Sequence, residues 1–109
     1  MCRHLAYIGQ EKSIYKIIAV PEHSLLKQSY MPKELKEAKL NADGYGFGWF
    51  NKNKKPGIYK NILPIWSDPF LEYLGASISS RLIVANVRSA TQGQGYGYQN
   101  IHPFLHNQY

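Results

Sequence analysis

Cys2 is the only cysteine in a chain of 109 residues, and it stands directly behind the initiator methionine in the opening stretch MCRHLAYIG. A disulfide would need a partner that the chain lacks. One chemistry needs a thiol at this position. Once Met1 is removed, Cys2 is N-terminal, and its own α-amino group lies a few bonds from its sulfur. A free thiol titrates near about 8.5 and an α-amino group near about 7.7–8.0. The amine is therefore a base matched to neutral pH and within reach of the thiol, directly or through one water. With Met1 attached, that nitrogen is an amide and the base is gone. Taken by position alone, Cys2 reads first as an incidental residue at the start of an edge strand.

The other chemistry-bearing groups lie in three places. Arg88 ends the apolar run RLIVANV and opens a polar turn. A guanidinium there can grip a carboxylate through two parallel hydrogen bonds, or it is a surface arginine at a strand end. Ser89 and Thr91 offer hydroxyls in the same turn, where capping is their common use. Asn41, Asp43 and Gly44 lead into GYGFGWF; they line a site or make a plain Asp-Gly turn. His23, Ser24 and Gln28 lie in a polar loop, solvated or pocket-forming. His4 reads as a strand residue, and His102 as structural before catalytic. Four scattered histidines without nearby carboxylates or thiols argue against zinc. No metal or cofactor is expected.

These residues need elements to hold them. The segment from Cys2 predicts a strand ending at Gly9. SIYKIIAV has near-helical apolar spacing and is stopped by Pro21, although its β-branched isoleucines leave the assignment open. A long polar loop follows, with a turn of helix at 33–38. Glycines at 44, 46 and 48 would share one face of a strand, where a backbone or ligand can come close. NKNKKPG is a hairpin-type turn, and IYKNILPIW a strand or strand pair bent at Pro64. SDPFLEYLGASISS opens a helix with Ser67 or Asp68 as cap, Pro69 in its first turn, and Phe70, Leu71, Leu74 and Ile78 on one face. RLIVANVRSAT is a buried-type strand and QGQGYGYQN a loop. Trp49, Phe50, Tyr59 and Trp66 read as core or sheet-face aromatics. The pattern is α+β, a single domain over residues 1–109.

Composition narrows the function classes. Hydrophobic content of 44% and charged content of 18% are globular. The net charge of +6 is spread over scattered lysines, so a basic surface is favoured over a nucleic-acid site; a single-strand binder would interleave cations and aromatics along one groove. Binding that falls steeply with salt would mark that third reading. Arg3, His4, Glu11, Lys12 and Lys16 interrupt any secretory apolar run, and no stretch approaches the ~20 apolar residues of a membrane span. A soluble cytoplasmic protein is expected.

MCRHLAYIG, PEHSLLKQS, NADGYGFGWF, PGIYKNILPIWSD, ANVRSATQG and NIHPF, in that order and over nearly the whole chain, resemble the N-terminal part of a class-II glutamine amidotransferase domain, of the N-terminal-nucleophile hydrolases. The nearest subgroup is the stand-alone γ-glutamyl amidohydrolases of the ergothioneine-pathway type. The resemblance implies part of a four-layer α/β/β/α sandwich, here as two incomplete sheets whose unpaired edges invite self-association. It implies that Cys2 attacks the side-chain amide of glutamine or a γ-glutamyl amide, leaving a γ-glutamyl thioester that water cleaves. It assigns the substrate α-carboxylate to Arg88, with Thr91 and Ser89 beside it, and places Asn41, Asp43 and Gly44 along the site. Two departures stand out. Family members carry a His-Asn-Gly segment, an oxyanion-hole element, beyond the His-Pro-Phe; HNQY at His106–Tyr109 comes too soon and has Gln108 in place of glycine. Asn86 stands where the subgroup often has histidine. An inactive remnant or interaction module is therefore the alternative to an enzyme.

Overall fold

The computed structural model describes residues 3–21, 24–26, 44–88, 97 and 101–104. Four strands form one antiparallel sheet in the order β1-β4-β2-β3: β1 is Arg3–Ser13, β2 Tyr45–Phe50, β3 Pro56–Asn61 and β4 Ser79–Val87. Helix α1 is Ile14–Ile18, α2 is Leu71–Ser77, and a 3-10 turn spans Ile65–Ser67. The architecture is α+β. Where two incomplete sheets were expected, the described residues form one, because β4 pairs with both β1 and β2.

β1 runs past the expected stop at Gly9 to Ser13, its register with β4 shifting between Ile8 and Lys12. That shift absorbs the glycine without ending the strand. Ser13 then takes an extended conformation, and its hydroxyl accepts from the Lys16 amide, opening α1. The helical reading of this segment holds. β2 pairs with β3 through the turn expected at 51–57, whose last two residues, Pro56 and Gly57, already belong to β3. There the Asn51 carboxamide accepts from the amides of Asn53 and Lys55 at 2.9 and 3.0 Å, and Lys54 takes a left-handed φ of 58°.

IYKNILPIW is a strand only as far as Asn61; after Pro64 it coils into the 3-10 turn. Helix α2 starts at Leu71, later than Ser67 or Asp68 would place it, with no side-chain cap. Asp68 instead closes a turn, accepting from the Phe70 amide at 2.9 Å. Phe70 is exposed and not part of the apolar face, whereas Leu71 is buried. The helix expected at 33–38 lies outside the described residues.

Strand alternation sorts the sheet into two faces. Tyr45, Phe47, Ile83, Ala85 and Val87 point to the side covered by Ile14, Ile18, Ile65 and Leu71. Burying each large apolar side chain contributes about 1.5–3 kcal/mol. Trp49 and Tyr59 pack at the edge of this core, as expected of sheet-face aromatics, while Trp66 is 37% exposed and lies outside it. Gly75 lets α2 cross α1, since a Cβ there would sit 3.1 Å from Tyr15.

The core side is tied to the 3-10 turn by one carboxylate. Asp68 Oδ2 accepts from the Tyr45 hydroxyl, from the Tyr59 hydroxyl at 3.0 Å and from Asn61 Nδ2 at 3.2 Å. Burial works to raise the Asp68 pKa, but hydrogen bonds from Tyr45, the Phe70 amide, Tyr59 and Asn61 outweigh it and hold the carboxyl below its usual 3.8. Burial, and next the Asp68 carboxylate, push the Tyr45 phenol far up, so it stays a donor. A carboxyl depressed on folding adds stability above its unfolded pKa and loses it as pH falls through its folded value. Asp68→Asn should therefore cost about 1–2 kcal/mol at pH 7. Its urea midpoint should also fall less than that of the parent as pH drops below 4.

On the opposite face, Gly46 and Gly48 lie beneath the His102–Pro103 peptide, which is cis. The expected glycine strip is thus present, and a backbone does approach it. A Cβ at Gly46 would stand 2.1 Å from the His102 carbonyl oxygen. Gly46→Ala is expected to lower stability by about 1–3 kcal/mol through this clash, read from the shift in thermal midpoint.

Candidate active site

β4 lies between β1 and β2, and its last residue, Val87, pairs with Arg3 on one side and Tyr45 on the other. The next residue, Arg88, donates its backbone N–H to the Gly44 carbonyl at 2.9 Å. Three chain segments therefore meet at one end of the sheet, across two strand spacings of about 5 Å each. Cys2 is joined to Arg3, Ser89 and Thr91 follow Arg88, and Asn41 and Asp43 precede Gly44. Cys2, Asn41, Asp43, Ser89 and Thr91 themselves lie outside the described residues, as do His23, Gln28 and the 106–109 stretch.

Arg88 is only 3% exposed. Burial rules out the surface-arginine reading, since a guanidinium is taken from water only where charge or hydrogen bonds compensate. Gly44 has a φ of +121°, and a Cβ there would stand 2.5 Å from Ile101 Cδ1 and 2.9 Å from the Asn61 carbonyl. This position needs glycine on both counts. Ser24 is buried, so that part of the polar loop is not solvated.

Asn86 was singled out in the sequence only for its departure from histidine. It is 2% exposed, and its side chain crosses from β4 to β1. Asn86 Nδ2 donates to the Arg3 carbonyl at 3.0 Å and lies 3.2 Å from His4 Nδ1 and 3.4 Å from the Val87 carbonyl. Its Oδ1 and Arg3 Nε are buried without a hydrogen-bond partner among the described residues. Orphaned polar atoms of this kind are rare in ordinary cores and collect where function needs them. A polar residue breaking an apolar strand was the available signal.

His4 and His102 meet edge to face at 5.3 Å, beside a cavity of about 500 Å³ that Asn86 and Phe104 also line. Burial first, then the charges of His4 and Lys60, pull the His102 imidazole below its ordinary 6.5, so it is neutral at pH 7. Lys60 Nζ stands over the Phe104 ring at 4.4 Å. Among the described residues no three His, Cys, Asp or Glu are grouped to hold a metal, and no helix is long and apolar enough to cross a membrane.

Residues 23–109 match the family described as glutamine amidotransferases class-II. The chain belongs to that family. Among curated relatives, this class-II amidotransferase chain is 37% identical over 93 residues to the gamma-glutamyl-hercynylcysteine sulfoxide hydrolase of Mycolicibacterium smegmatis, covering 85% of this chain and 41% of the relative. It is 34% identical over 104 residues to the protein of that name from Mycobacterium tuberculosis, covering 95% and 44%. Against the probable glutamine amidotransferase DUG3 of Saccharomyces cerevisiae the figures are 28%, 98% and 32%. The class-II chain thus spans less than half the length of these relatives.

Proposed function

We propose that this chain carries the nucleophile and the substrate-carboxylate grip of an enzyme that hydrolyses γ-glutamyl amides. The observation that carries the reading is the meeting of β1, β2 and β4 at one sheet end, where Arg3, Gly44 and Arg88 adjoin. In this reading the α-amino group of processed Cys2 takes the thiol proton, and sulfur attacks the amide carbon. The C–N bond breaks, the same amine returns the proton to the departing amine or ammonia, and a γ-glutamyl thioester remains. Water, deprotonated by the α-amine, then cleaves the C–S bond and frees glutamate and the thiol.

Arg88 holds the substrate α-carboxylate, with Thr91 and Ser89 alongside, while Asn41, Asp43 and Gly44 form the wall fed by β2. The names of the mycobacterial relatives favour a γ-glutamyl amino-acid derivative over free glutamine. The finer architecture belongs to the same proposal. Opposite the helices, the sheet face exposes Ile8 and Ile58, beside an exposed Phe104; a second sheet laid there would complete the four-layer sandwich.

The test is the intact mass of the protein before and after a glutamine-analogue affinity label, with the labelled residue mapped. Loss of Met1 and one adduct on Cys2 are expected. A retained Met1, or an unlabelled Cys2 in folded protein, would overturn the catalytic reading in favour of an inactive remnant.

A further inference from the structure

We infer that Asn86 is a positioning residue for the nucleophile, a role that rests on the Cys2 reading above. Its carboxamide reaches across the last rungs of the β1–β4 pair and holds the Arg3 carbonyl at 3.0 Å. That carbonyl belongs to the residue bonded to Cys2, so holding it restrains the point from which Cys2 leaves the sheet. Among the described residues β1 has no strand on its outer edge to hold this end in place. An edge strand's first residue frays readily; a buried side-chain clamp on Arg3, where β1 begins, opposes that.

Two further observations fit a clamp and not a generic polar core residue. The donor is oriented by chemistry: Nδ2 faces two carbonyl oxygens, those of Arg3 and Val87, which only an N–H can satisfy. The carbonyl half, Oδ1, is consequently left buried with no donor among the described residues. A buried acceptor without a donor is destabilising, so a side chain serving stability alone would be better replaced by an apolar one of the same shape. The α-amino group of processed Cys2 is a donor of the right kind and is tethered to the same strand end. The clamp thus acts on catalysis through Cys2 and touches no substrate.

The experiment uses the full chain with Met1 removed and follows Cys2 labelling by the glutamine-analogue affinity label. It compares the parent with Asn86→Leu, which keeps the shape and loses the donor, and with Asn86→His, which keeps one ring N–H. Each variant is assayed below its own thermal midpoint. A displacement of about 1 Å can cost 10²-fold in a reaction rate. Asn86→Leu should therefore lower the maximal labelling rate by about 30- to 100-fold with the half-saturating label concentration within twofold, and Asn86→His should recover most of it. Labelling of Asn86→Leu at the parent rate, or a change confined to the half-saturating concentration, would overturn the positioning role alone. A parent chain that is folded, processed and unlabelled would overturn the Cys2 reading and this inference with it.

Discussion

Cys2→Ala should abolish turnover of a γ-glutamyl amide, lowering kcat by about 10⁴-fold or more, the scale on which activated nucleophiles matter. Cys2→Ser should do nearly the same, because a hydroxyl is a far weaker acid than a thiol and the α-amine is matched to the thiol. The more telling variant leaves every side chain in place. A short tag ahead of Met1 keeps Cys2 inside the chain and turns its amine into an amide, so that only the base is lost. Its kcat should fall by about 10²–10⁴-fold, while alkylation by a small reagent at high pH, where the thiolate forms unaided, should be almost unchanged. Full activity of the tagged chain would show that some other base serves Cys2. Product release of glutamate from a γ-glutamyl amide, followed with time, is the measurement for all three.

Arg88→Lys is expected to raise KM for a γ-glutamyl substrate by about 10- to 150-fold, the worth of hydrogen bonds to a charged group, with a smaller change in kcat. Lysine keeps the positive charge but not the planar fork that meets a carboxylate with two parallel bonds. The residue is buried and its backbone N–H is already tied to Gly44, so the strand end should hold while the grip is lost. A substrate analogue lacking the α-carboxylate separates grip from scaffold. Parent and Arg88→Lys should process it equally poorly, because the group that Arg88 would hold is absent. If Arg88→Lys slows that analogue as much as the normal substrate, Arg88 supports the fold and not the carboxylate.

Local features of the sequence translated well into structure. Alternation in GYGFGWF put Tyr45 and Phe47 in the core and Gly46 and Gly48 against the His102–Pro103 backbone, because a strand's period of two needs no knowledge of its partners. Ser13 was not foreseen as a cap, yet the helical spacing behind it sufficed to place α1. What depended on distant parts of the chain was hidden. Ser67 or Asp68 reads as a helix cap, but Asp68 Oδ2 is taken by Tyr45, Tyr59 and Asn61 and Oδ1 by the Phe70 amide, so α2 starts later, at Leu71. In the sequence Asn86 stands out only as a departure from the subgroup's histidine; its meaning comes from a register joining β4 to β1. The site residues were named from a resemblance. The adjacency of Arg3, Gly44 and Arg88 at one sheet end follows from β4 standing between β1 and β2, which no spacing in the sequence encodes.

That strand order also sets a timetable. β1, which leads to Cys2, pairs only with β4 among the described strands, and β4 begins at Ser79. At about 5–20 residues per second of synthesis, the first strand waits several seconds before its partner emerges from the ribosome. Throughout that interval β1 is not yet held in a sheet, and the chain ahead of it is open to the peptidase that the Cys2 proposal requires. On that proposal, the sequence position of the central strand gives processing a head start over folding.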